Sequence, residues 1–221
     1  MNKSSYFRYR HFDALVIMQC VRWYLRYPLS YRNLVEIMEE RGVEIAHSTI
    51  LRWIQHYAPI FAKNIRYYAR PLGKSWRVDE TYIKVKGKWK YLYRAIDKQG
   101  DTIDFMLSHK RDTNAAKRFL RKALIYGLCN PEVINTDKNP AYGEAIRQLK
   151  QEKVLKQSVK HRQVKYLNNV IESDHRRIKR RTRPMMGFNK FHSASKTLQG
   201  IEAMAMVLKT RNYHIRHTVT E

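Results

Sequence analysis

Three carboxylates in this chain have the types and surroundings for metal-assisted chemistry on a phosphate: Asp79, Asp137 and Glu172. Asp79 falls inside WRVDETYIKV, a run that alternates like a strand, where aspartate is unfavourable and a buried one needs a partner or a metal. Asp137 follows the short apolar run Val133-Ile134-Asn135-Thr136, the pattern of a strand buried on both faces. Glu172 lies 35 residues further on, within the strongly basic stretch KYLNNVIESDHRRIKRRTR. Helical spacing there gathers Lys165, Asn168, Glu172, His175 and Lys179 near one face. Three convergent carboxylates suit two Mg²⁺ ions about 4 Å apart, with Mn²⁺ as a substitute, clamping an in-line phosphoryl displacement. Asp137 alone would read as a turn residue and Glu172 alone as a solvated one, so the constellation carries the argument. Asp174 is turned about 200° from Glu172 on a helix and is not expected to share its site.

The elements that must position these acids follow from periodicity. Residues 76–85, 89–97 and 102–108 read as three strands of an antiparallel meander, with a turn at Gly87. An amphipathic helix over 114–126 precedes the Asp137 strand; a helix over 141–151, a weak strand near Val159, the Glu172 helix and a long helix over 193–213 follow. This succession resembles the ribonuclease H-like fold, a mixed five-stranded sheet flanked by helices. In that fold the first and fourth strands lie side by side, which would bring Asp79 to Asp137.

Ahead of the sheet, three helices are expected. The first, Phe12 to Tyr27, is stopped by Pro28; the second, Tyr31 to Glu40, is capped by Ser30; the third runs from Ser48 to before Pro59. In the third, Ile50, Trp53, Ile54 and Tyr57 form an apolar stripe, opposite Thr49, Arg52, Gln55 and His56. Such a trio resembles a helix-turn-helix unit whose third helix presents Thr49, Arg52 and Gln55 to a DNA groove. The expected division is therefore a helical DNA-binding domain at 1–60, a basic linker at 61–74, and a catalytic domain at 75–221.

Charge agrees with that partner. The chain of 221 residues carries 44 Lys and Arg against 19 Asp and Glu, a net charge of +25. A field of that sign draws polyanions, while 43% hydrophobic content is enough for a packed core. No apolar run is long enough to span a bilayer, and the N-terminus lacks the apolar stretch of a secretory signal. Cys20 and Cys129 support neither a disulfide framework nor a zinc site, so a reducing cytoplasmic setting is expected. Fifteen tyrosines do not make a tyrosine recombinase, because no supporting Arg/His constellation accompanies them.

The motifs, taken in order, resemble the DDE transposases of bacterial insertion sequences, specifically the insertion-sequence-six family. They include Ser30-Tyr31-Arg32-Asn33-Leu34, His47-Ser48-Thr49-Ile50, Arg52-Trp53-Ile54, Trp76-Arg77-Val78-Asp79-Glu80-Thr81-Tyr82, Asn135-Thr136-Asp137, and Lys165-Tyr166-Leu167-Asn168-Asn169 with Glu172, Asp174-His175-Arg176 and Lys179. The resemblance implies that Asp79, Asp137 and Glu172 are the metal-binding catalytic triad. It implies that Lys179 contacts DNA near the cleaved phosphate, within a basic run Arg176 to Arg183 suited to phosphates. It further implies binding of terminal inverted repeats, strand cleavage and transfer by way of cointegrates, and a homodimer or larger assembly in a bacterial cytoplasm, beside the nucleoid. Two other readings stay open on sequence: a nuclease of the same fold that cuts without joining, and a DNA-binding repressor without catalysis.

Overall fold

Asp13 opens the first helix, its carboxylate accepting from the Leu15 amide at 2.7 Å. In the computed structural model, which describes residues 5–7, 11–66, 72–126, 130–164 and 169–218, α1 is Ala14–Arg26. It buries Ile17, Cys20, Val21, Tyr24 and Leu25 on one stripe. A capping box then starts α2 (Tyr31–Glu39): the Asn33 amide donates to Ser30 Oγ at 3.1 Å, and the Ser30 amide donates to Asn33 Oδ1 at 2.9 Å.

The third helix departs from expectation. α3 (His47–Arg66) does not stop at Pro59 but continues through it. Proline lacks the N–H that would reach the carbonyl four residues back. The loss is offset because Tyr57, Ala58 and Ala62, on either side of it, are buried. Residues 61–66, expected as linker, are therefore helical.

The long C-terminal helix α7 (Phe191–Thr218) packs on α3 and α1. The chain divides into one unit of Met1–Tyr67, Arg180–Met186 and Lys190–Glu221, and a second of Tyr68–Lys179 and Gly187–Asn189. The last helix thus completes the N-terminal helical unit, where the sequence assigned it to the catalytic domain. Gly200 shows why the match is close: a Cβ there would lie 2.6 Å from Ala58 Cβ and 2.8 Å from the Leu25 methyls. Gly200→Ala should therefore destabilise the protein by about 1–2 kcal/mol, since overpacking exceeds the gain in helix propensity. Urea denaturation reads this directly; a more stable variant would mean that α7 is free to shift.

In the second unit, β1 (Ser75–Val85) and β2 (Lys88–Ile96) form a hairpin closed by Lys86 and Gly87, at φ 49° and 74°. Two consecutive positive φ values are what a two-residue turn needs to follow strand twist. β3 is Thr102–Ser108, α4 Thr113–Tyr126, β4 Val133–Thr136, α5 Pro140–Gln151, β5 Lys160–Gln163 and α6 Asn169–Thr182. The sheet order is β3-β2-β1-β4-β5, antiparallel through β3, β2 and β1, with β4 parallel to β1 and to β5. This is the mixed five-stranded ribonuclease H-like sheet expected above, with the first and fourth strands adjacent. Trp76, Val78 and Tyr93 pack with Phe119, Leu120, Tyr142 and Leu149 of α4 and α5 in one core. The opposite face of β1 and β2 carries Asp79 and, directly across from it, Arg94.

Candidate active site

Register decides which acids meet. β1 and β4 pair as Ser75 with Val133, Trp76 with Ile134 and Arg77 with Asn135. Continued two residues, the same offset sets Asp79 beside Asp137, just past the end of β4. Asp79, Asp137 and also Glu80 each offer an oxygen within 4.8 Å of the others. Alternation along β1 turns Asp79 and Glu80 to opposite faces, and their surroundings differ accordingly. The Glu80 carboxylate is buried and takes hydrogen bonds from Arg111 and from the Tyr142 hydroxyl. The Arg111 guanidinium also reaches Asp137, at 3.7 Å. Glu80 is thus partnered at both oxygens and anchors Arg111, which in turn braces Asp137.

Sequence reasoning did not single out Glu80, Arg111 or Tyr142. The available signal was the Asp79-Glu80 pair itself: two successive acids on a central strand cannot share a face, so the second needs its own cation.

Glu172 stands in the first turn of α6 with its side chain exposed. It lies outside the group of three carboxylates drawn together on the sheet, yet its charge is felt at Asp79. The Asp79 carboxyl is pushed up to about 7, first by burial and then by the negative charges of Glu80, Asp137 and Glu172. Such crowding of oxygen donors is unfavourable without a cation and matches the preference of hard divalent ions for carboxylates. The residues present fit a divalent metal.

His175 corrects the sequence reading, which placed it with the DNA contacts. It is buried, and its Nδ1 lies 3.7 Å from Asp79 Oδ2. Burial, followed by the Arg94 charge, holds its pKa down at about 3, so the ring is neutral. Its place is behind Asp79. Asp174 does not share the direction of exposed Glu172: it is buried in an ion pair, at 2.6 Å, with Arg94, the residue across from Asp79 on β2.

The remaining candidates separate by exposure. Arg176 is exposed, with its guanidinium on Ser173 Oγ at 2.9 Å, and Lys179 is half-buried. Lys165 and Asn168 lie outside the described residues. Within the basic run, Arg181 is buried, donating to the Tyr24 carbonyl with its guanidinium carbon 4.2 Å from the Tyr24 ring centroid, so it is structural. In the helical unit, Arg52 is exposed, near Thr49 Oγ1 at 3.3 Å, and Thr49 is half-buried. Gln55 is not presented to solvent as expected: its amide donates to Thr197 Oγ1 at 3.0 Å and to the Ser193 carbonyl at 3.3 Å. The stripe count put Gln55 on the polar face, and the missing information was that α7 covers it.

Comparison with known proteins decides the family. A DDE domain of the IS240 transposase type matches residues 73–211. Over 206 residues the chain is 44% identical to the transposase for insertion sequence-like element IS431mec of Staphylococcus aureus strain Mu50, covering 93% of this chain and 89% of that protein. The chain belongs to the insertion-sequence-six family of DDE transposases. The same identity and coverage hold for the transposase of IS257 in transposon Tn4003 of Staphylococcus aureus. An uncharacterized Yersinia pseudotuberculosis protein is 47% identical over 89 residues, 39% of this chain and 83% of that one. Among solved structures, the HTLV-2 integrase catalytic core with magnesium matches at TM-score 0.45 and 18% identity, over 58% of this chain and 84% of that one. Membership makes this DDE transposase a metal-dependent polynucleotidyl transferase. Among its described residues no helix is long and apolar enough to cross a membrane.

Proposed function

We propose that this transposase binds the terminal inverted repeats of its insertion sequence, cuts the strand at each end, and joins the freed 3′-hydroxyl to target DNA through a cointegrate. The observation that carries this reading is the meeting of Asp79 and Asp137 across β1 and β4, with the charge of Glu172 reaching Asp79. Asp79, Asp137 and Glu172 would hold two Mg²⁺ ions, or Mn²⁺ in their place. Bound there, the ions supply an activated oxygen nucleophile and stabilise the leaving oxygen. The chain's own residues set the stage. Arg111 fixes the Asp137 carboxylate, and neutral His175 fills the space behind Asp79 without competing for its negative charge. Lys179 and Arg176 offer cations to the DNA backbone on the α6 side. In the helical unit, exposed Arg52 with Thr49 is the face offered to a groove. Two DNA ends must be held together for transfer, which favours a homodimer or larger assembly working in the cytoplasm beside the nucleoid.

Purified protein, Mg²⁺ and labelled duplexes bearing the element's ends should give joined products that vanish with EDTA. Cutting without joining would replace this reading with the nuclease. Binding with neither would leave a DNA-binding repressor.

A further inference from the structure

The β1–β2 hairpin runs beyond the acids into a face that the fold leaves uncovered. Tyr82 and Trp89 are 46% and 60% exposed, unusual for large aromatic side chains on a sheet. Register places Tyr82 opposite Tyr91 and Lys84 opposite Trp89, so all four share one face. The rings touch: Tyr82 and Tyr91 centroids are 5.5 Å apart, and Tyr82 and Trp89 are 6.2 Å apart. Lys84 shares their face and Lys86 stands in the adjoining turn, while Lys88 and Lys90 line the other face of the same hairpin, and no acid occurs between Thr81 and Ile96. The hairpin is also held firmly. The Phe188 amide donates to the Lys84 carbonyl at 2.9 Å, and the Lys86 amide donates to the Phe188 carbonyl at 2.7 Å.

Two facts tie this face to the site. Tyr82 is three residues from Asp79 along β1, about 10 Å at strand rise, and shares the face of Glu80, the carboxylate that anchors Arg111. It also lies within electrostatic reach of Arg111, the residue that braces Asp137.

We propose that Tyr82 and Trp89, backed by half-buried Tyr91, form a stacking platform for unstacked bases of the DNA strand whose phosphate is brought to Asp79 and Asp137. The proposal rests on the transposase reading of the site. Aromatic faces ringed by lysines suit bases joined by phosphates, since every base offers a π-face and every linkage an anion. A second copy of the chain is the poorer occupant, because Lys84 and Lys86 of each hairpin would then confront one another. A paired duplex would meet the lysines but leave the rings unused. The platform therefore selects a strand opened at the reacting end.

The test compares wild type, Trp89→Ala, Tyr82→Ala and Trp89→Phe on an oligothymidine single strand and on a fully paired end duplex, by fluorescence anisotropy. Trp89 is largely exposed, so its removal should leave the thermal midpoint unchanged. Each alanine variant should bind the single strand about 10-fold more weakly and bind the paired duplex as wild type does, whereas Trp89→Phe should keep near wild-type binding to both. Cutting by Trp89→Ala should recover when the duplex is supplied with mismatched bases beside the cleaved phosphate. Unchanged single-strand binding would overturn the platform, as would equal loss on both DNAs or a loss of self-association at unchanged DNA affinity. The anisotropy arm needs no catalysis. Failure of wild type to cut or join would count against the transposase reading alone.

Discussion

Asp79→Asn should abolish cutting and joining, by at least about a thousandfold, or 4 kcal/mol of barrier, while DNA binding persists. The same variant should melt at a higher temperature than wild type in EDTA at pH 8. The reason is linkage. The Asp79 carboxyl titrates near 7 in the folded chain and near 3.9 when unfolded. The stability it contributes is full below about pH 4 and is lost as pH rises through 7, by up to about 4 kcal/mol. The side chain is only 17% exposed, so solvent relieves little of this crowding. Mg²⁺ should restore wild-type stability at pH 8 and leave Asp79→Asn unmoved. Thermal melts at pH 5 and 8, with EDTA and with Mg²⁺, read all of this. A variant that melts below wild type in EDTA at pH 8, or that joins DNA at the wild-type rate, would remove Asp79 from the metal site.

The second large effect concerns stability. Arg94 and Asp174 are both buried, and their ion pair links β2 to α6, the helix that bears Glu172. Removing Arg94 takes from the buried Asp174 carboxylate its nearest cation, leaving Arg177 at 4.0 Å, and breaking such a buried pair costs about 3 kcal/mol. Arg94→Met should lose that much in urea denaturation, and Arg94→Met with Asp174→Leu should recover most of it. A single variant within 1 kcal/mol of wild type, or a double no better than the single, would show that water or other groups satisfy the charge. Activity should fall as well. The Arg94 charge helps keep His175 neutral, and without it a protonated ring could form beside Asp79.

Much of this arrangement was legible in the sequence because it is written in local terms. The meander is period two with a Lys-Gly turn; β4 is a short apolar run. The adjacency of β1 and β4, and with it the meeting of Asp79 and Asp137, followed from the likeness of the element order to the ribonuclease H-like fold. What was not legible depends on partners distant in the chain. Pro59 signals a stop, but burial of Ala58 and Ala62 overrides it. Gln55 counts as polar surface until Thr197 arrives to bond it. His175 shares the helical stripe of Glu172 by spacing, yet it lies far enough round the helix to be buried against β1. The Glu80–Arg111–Tyr142 network joins three elements, and only strand alternation at Asp79-Glu80 hinted that a cation was owed there.

The placement of α7 has a consequence for how the protein comes into being. α3 ends at Arg66, but the helix that covers it begins at Phe191. At about 5–20 residues per second of synthesis, the apolar stripes of α1 and α3 wait on the order of ten seconds for their cover. During that interval the sheet unit can fold around its own core, whereas the N-terminal helices present an unfinished surface to chaperones and proteases. A fragment ending near residue 60 would be left permanently in that state. The N-terminal helices are thus made before the sheet unit and completed after it.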